Sequence, residues 1–196
     1  MSEISSFSYF CYDLEKHGAK MRKGGVGGGK TITGLHFENK VNLLSKIADI
    51  YGYEVKGNEI YFEGELLAYS YPKHELYSKF LAPNGINYKN LVSKKYLPDE
   101  ALYVPSQNTF YIIEMKFQNV GGSVDEKLQT CDFKRKIYLK LLSNLKLNVE
   151  YMFVLSDYFN KSSFDDAFEY IRSVGCSYHF DELPLSQIGL PMPSVK

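Results

Sequence analysis

Two acids and a lysine in the middle of the chain have the types and spacing for hydrolytic chemistry. Asp99 follows Pro98 at the entrance to a short apolar run, Ala101 to Val104. Glu114 and Lys116 stand two apart in the next run, Thr109 to Phe117, which is rich in β-branched and aromatic residues. Side chains two apart on a strand share a face. Glu114 and Lys116 therefore project together, and Met115 points into the opposite layer. The turn Pro105-Ser-Gln-Asn108 makes the two runs a hairpin that can return Glu114 beside Asp99. Two convergent carboxylates form a hard oxygen site of the kind Mg²⁺ prefers. An ammonium beside them can orient or polarise a water, or balance charge in a transition state. Phe110, Tyr111, Ile112, Ile113 and Phe117 mark the second run as a buried strand, where charges are rare unless they have a task. Glu100 is the alternative to Asp99, since strand alternation lets only one of the two face Glu114.

Other elements must hold this hairpin in place. Upstream, Leu35, Glu38, Val41, Leu44, Ile47, Ala48 and Tyr51 recur at three- and four-residue spacing, which predicts a helix with Thr33 as N-cap and Gly52 as stop. Tyr53 to Val55 and Ile60 to Phe62 flank Lys56-Gly-Asn-Glu59 and read as a hairpin. Pro72 opens a short helix through Phe80. Val124 to Leu147 reads as a helix with Leu128, Phe133, Ile137, Leu141 and Leu142 on one side. Glu150 to Leu155 is a nearly continuous apolar strand, the kind buried on both faces. A helix over Asp165 to Ser173 and a strand over Ser177 to Phe180 follow. The order predicts an α/β (α+β-like) single domain over residues 1–196. Its central mixed β-sheet is flanked by helices, with one helix crossing over between two core strands.

Pro98-Asp99 followed by Glu114-Met115-Lys116 resembles the motif of the PD-(D/E)xK nuclease superfamily. The element order over residues 33 to 155 resembles it too. Within that superfamily, Thr33-Gly-Leu-His-Phe-Glu38 and Phe117-Gln-Asn-Val-Gly-Gly-Ser-Val-Asp-Glu-Lys-Leu-Gln-Thr130 look most like a type II restriction endonuclease. The resemblance implies a restriction-endonuclease-like fold. It also implies Mg²⁺-dependent, sequence-specific hydrolysis of phosphodiesters in double-stranded DNA, with Mn²⁺ able to substitute. Asp99, Glu114 and the Met115 carbonyl would then hold the metal. Lys116 would position the attacking water and stabilise charge on the phosphorus, and Glu38 would support the site. A homodimer is expected, because cutting both strands needs two sites and a two-fold protein matches a palindromic target. A junction resolvase or repair nuclease on the same fold, reading DNA shape, is the alternative.

Charge patterning bears on the partner. The chain carries 23 basic and 23 acidic side chains, so it lacks the simplest signal of a nucleic-acid-binding domain, a net basic charge. The zero sum hides segregation. Residues 16–30 hold five bases and no acid, and 127–146 hold six bases and one acid. Residues 147–182 reverse the balance, with seven acids and two bases. Lys127, Lys134 and Arg135 can meet phosphates, and Gln118, Ser123, Gln129 and Thr130 offer groups that read base edges. Lys20, Arg22, Lys23 and Lys30 sit in a Gly/Lys-rich flexible arm over residues 16–31, whose glycines let backbone amides approach phosphates.

Gly24 to Thr31 matches the P-loop in letters, and a P-loop nucleotide hydrolase is the remaining alternative. The mechanism needs an apolar strand before the loop, whereas Lys16 to Lys23 is polar and basic, so no bound nucleotide is expected. No run of about 18 apolar residues provides a membrane span, and Met1 to Phe10 lacks the basic start of a secretory signal. Cys11, Cys131 and Cys176 are scattered, an odd count that fits a reduced, cytoplasmic thiol inventory. The four histidines show no zinc spacing.

Overall fold

The site hairpin lies at the centre of a seven-stranded sheet. The computed structural model describes residues 34–36, 42–118 and 125–193. Strand β1 (Gly34–His36) and helix α1 (Leu43–Ala48) precede a meander of β2 (Tyr53–Lys56), β3 (Glu59–Phe62) and β4 (Glu65–Ser70). The hairpin follows as β5 (Glu100–Val104) and β6 (Thr109–Lys116). Helices α2 (Asp125–Leu128) and α3 (Cys131–Leu142) lead to β7 (Asn148–Leu155), and α4 (Asp165–Ser173) leads to β8 (Ser177–Phe180). Strand β9 (Glu182–Pro184) pairs antiparallel with β1. The large sheet runs β2-β3-β4-β5-β6-β7-β8 in space. It is antiparallel up to β6, and β6-β7-β8 are parallel. This is the expected α/β class, with a helical crossover between the core strands β6 and β7.

Hairpin β5–β6 closes through a single helical turn, Pro105–Gln107, followed by Asn108 at φ 52°. Asn tolerates that left-handed conformation because its short polar side chain bonds locally. Here its Nδ2 donates to the Lys146 carbonyl at 3.0 Å, and its own carbonyl accepts from Asn148 N at 2.9 Å. The turn is thereby tied to the start of β7.

Strand alternation sorts the core into two layers. Ala101, Phe110, Ile112, Tyr151, Phe153 and Leu155 face α3 and α4. Leu102, Val104, Tyr111, Ile113, Met152 and Val154 face α1 and the C-terminal segment around Leu183 to Leu190. Phe110 and Phe153 are fully buried, and each such side chain stabilises the fold by roughly 2–3 kcal/mol.

Several local expectations change. Residues 34–36 form a strand instead of the start of a helix. Gly34 is a poor helix former, and Leu35 gains its burial by pairing opposite Leu183. Helix α1 begins after Asn42, whose side chain accepts from Leu44 N at 2.8 Å. Gly52, the expected stop, takes φ 84° in the turn to β2. The helix after Pro72 is π-helical and spans Leu76–Leu81. The long helix predicted for 124–147 divides at Gln129-Thr130 and ends at Leu142. Its inward face is Leu128, Cys131, Tyr138, Leu141 and Leu142, whereas Phe133 is 53% exposed. Among the described residues, no helix is long and apolar enough to cross a membrane.

Candidate active site

β5 and β6 run antiparallel with Glu100 opposite Ile113, so the residue before β5, Asp99, arrives beside Glu114 at the carboxyl end of β6. The outer ends of parallel strands are where open α/β sheets leave a crevice for ligands. The alternation also settles the choice between the two adjacent acids. Asp99 comes to Glu114 and Lys116, whereas Glu100 turns to the opposite layer, where Leu43 N and the Ser70 hydroxyl donate to it at 3.4 and 3.2 Å.

Four groups converge at this end of the hairpin. The Lys116 ammonium lies 2.9 Å from Glu114 Oε2, 3.3 Å from the Met115 carbonyl oxygen and 3.7 Å from Asp99 Oδ2. Asp99 is fixed by accepting from Met115 N at 2.9 Å. The Met115 side chain packs into the opposite layer, as alternation requires. Glu114 is nearly sealed from water, at 3% exposure. A buried carboxylate needs compensation, and it has two cations: Lys116 on Oε2, and Lys134 of α3 at 3.0 Å from Oε1. Beyond these lie Tyr138 and Tyr151, whose hydroxyls burial pushes far above the usual tyrosine range, with the Glu114 charge adding to the effect.

Three oxygens of hard character thus surround one positive atom. Two carboxylates and a carbonyl are the hard donors that would hold a small divalent ion, with Lys116 beside it. Among the described residues, no group of three or more His, Cys, Asp and Glu side chains gathers as a metal cage. The fit therefore rests on two carboxylates and one carbonyl.

Lys134 is the residue that sequence reasoning placed differently. Its place in the basic tract predicts a phosphate contact, yet it reaches inward to Glu114. Its signal was present in the sequence: Lys134 stands three after Cys131 and four before Tyr138, on the buried stripe of α3. The other expected DNA contacts are spread around it. The Gln118 backbone is pinned by Ser156, whose hydroxyl accepts from Gln118 N at 3.1 Å and donates to its carbonyl at 3.0 Å. Lys127 is exposed, and its carbonyl accepts from the Thr130 hydroxyl at 2.7 Å. Gln129 borders a cavity with Asp166, Ala167 and Tyr170 of α4. Arg135 packs against Gly175, where an added Cβ would stand 3.7 Å from the guanidinium. Lys20, Arg22, Lys23, Lys30, Glu38 and Ser123 lie outside the described residues, as do the P-loop-like Gly24 to Thr31.

A half-open cavity of about 400 Å³ is lined by Asp99, Glu100 and Met115 together with Asn42 and the turn Pro72 to Glu75. Burial pushes the Glu100 carboxyl from 4.5 up to about 7, against the opposing pull of its two hydrogen bonds. The folded state therefore holds this proton more tightly than the unfolded chain. The resulting stability is full below about pH 4.5 and is lost as pH rises to about 7, at most ~3 kcal/mol. Glu100→Gln keeps the carbonyl for Leu43 N and turns its NH₂ toward the Ser70 hydroxyl. Between pH 5 and 8 the urea midpoint of the metal-free parent is expected to fall relative to that of the variant. Parallel curves for the two proteins would refute the assignment.

No family model, curated protein or solved structure matches the chain.

Proposed function

We propose that the protein is a Mg²⁺-dependent endonuclease that hydrolyses phosphodiester bonds of double-stranded DNA in a sequence-specific manner, as a type II restriction enzyme of the PD-(D/E)xK superfamily does, and that it acts as a homodimer. One observation carries the reading: Asp99, Glu114 and the Met115 carbonyl close around a single cationic atom at the crevice end of a parallel strand pair. Bound Mg²⁺ would supply Lewis acidity toward a phosphoryl oxygen. Asp99 and Glu114 would hold the ion with the Met115 carbonyl, and Mn²⁺ would substitute. Lys116, on the same face, would orient the attacking water and stabilise charge developing on the phosphoryl oxygens. Lys134 would hold the Glu114 carboxylate in place while Lys116 serves the substrate.

Incubation with supercoiled plasmid and with linear duplex in Mg²⁺ tests this directly. Discrete fragments that vanish on chelation are expected. Progressive degradation, or cutting confined to branched DNA, would favour the shape-reading alternative. No cutting of any DNA would remove the nuclease reading.

A further inference from the structure

Residues 71–98 form a lobe between β4 and β5 that ends directly on Asp99. It holds five lysines (Lys73, Lys79, Lys89, Lys94 and Lys95) against one acid, Glu75. Two of these charges lie over aromatic faces. Lys94 Nζ is 5.3 Å from the centre of the Tyr96 ring, and Lys95 Nζ is 5.3 and 5.4 Å from the centres of the Tyr77 and Tyr88 rings. The Tyr96 backbone is rigidly held. Its carbonyl accepts from the Tyr77 hydroxyl at 2.9 Å and the Tyr138 hydroxyl at 3.2 Å, and its N–H donates to Tyr77 at 2.8 Å.

The Tyr96 ring meets Phe133 of α3 edge to face, with centroids 5.6 Å apart. Phe133 precedes Lys134, which touches Glu114, and Tyr96 lies three residues before Asp99, at most about 10 Å along the chain. Phe133 is 53% exposed and Leu97 is 38% exposed, although the helix has a buried face on which an aromatic residue would ordinarily be placed. A half-exposed Phe133 ring packed on Tyr96, with the Lys94 ammonium over the Tyr96 ring, matches one ligand chemistry above others. Unstacked bases lie on aromatic faces, and lysines track the phosphates between them. An intact duplex offers no base face, because its bases are stacked on one another.

We propose that Phe133, with Tyr96 and the lysines of the 71–98 lobe, forms a platform that stacks an unpaired DNA base beside the Asp99–Glu114–Lys116 site. On duplex DNA the base it takes is one displaced from its pair at the cleavage point. The inference rests on the nuclease reading for its biological sense, but it can be tested without cleavage. Fluorescein-labelled single-stranded oligonucleotide and blunt duplex of the same sequence are titrated with the protein in EDTA, and anisotropy is read.

The parent is expected to bind the single strand more tightly. Phe133→Ala is expected to weaken that binding about tenfold, to change duplex binding by less than twofold, and to lower the urea midpoint only slightly because half of the ring is exposed. Phe133→Trp is expected to restore affinity. Equal losses on both DNAs, or no loss on the single strand, would overturn the platform. Selective single-strand binding together with no cleavage of any DNA in Mg²⁺ would sustain the platform and remove the nuclease reading. Cleavage without selective binding would do the reverse.

Discussion

Lys116→Ala is expected to lower Mg²⁺-dependent DNA cleavage by about 10²–10³-fold while DNA affinity stays within a few fold. The ammonium is the positive group that Glu114, the Met115 carbonyl and Asp99 all approach, and its side chain is only 18% exposed. In so dry a setting its charge acts more strongly on a phosphoryl group than it would in water. The variant should still fold. Lys134 remains 3.0 Å from Glu114 Oε1, so the buried carboxylate keeps one cation. Retained affinity with lost cutting separates a chemical role from a binding role, and single-turnover cleavage beside an anisotropy titration reads both. Undiminished cutting would remove Lys116 from the chemistry.

Glu114→Gln should cost both activity and stability. The carboxylate would be a metal ligand, so cleavage should fall by about 10³-fold or to background, and raising Mg²⁺ should not recover it. In metal-free protein the change also leaves two ammoniums without their shared anion. Breaking a fully buried pair costs about 3–5 kcal/mol. Here Lys116 and Lys134 are 18% and 27% exposed and can turn toward water, so a loss of about 1–3 kcal/mol is expected. Urea unfolding in EDTA measures it. The contrast with Lys116→Ala is informative: one variant is stable and inactive, the other weakened and inactive. A Glu114→Gln protein as stable as the parent would mean that neither lysine is held by that carboxylate.

The part of the site most legible in sequence was the part governed by period two. Glu114, Met115 and Lys116 alternate on one strand, and a short turn returns Asp99 to their level. Strand alternation also separated Asp99 from Glu100 once the register was known. Turn length alone did not fix that register, because Asn108 adds a left-handed residue to the Pro105–Gln107 turn. The helical parts were less legible. Leu35 fits a helical spacing with Leu44 and Ile47, yet it is buried through β1, whose partner β9 lies almost 150 residues away. Long-range pairing of that kind leaves no local trace. In α3, counting apolar residues put Phe133 inside and Lys134 outside. The buried stripe instead follows Cys131, Tyr138 and Leu141, and a lysine stands on it because a buried glutamate needs a counter-charge there. The Tyr-rich lobe showed its composition in the sequence but not that it abuts the site.

The central claim is that Asp99, Glu114 and Lys116 hydrolyse DNA with a divalent metal. Its most direct test is cleavage of a mixed set of labelled DNAs, comprising supercoiled, linear duplex, branched and single-stranded forms. Parent and Lys116→Ala are compared in Mg²⁺, in Mn²⁺ and in EDTA. The expected result is cutting of at least one form by the parent in either metal, absent in EDTA and reduced at least 10²-fold by Lys116→Ala. Cutting that persists in EDTA, cutting undiminished by Lys116→Ala, or no cutting of any form would contradict it.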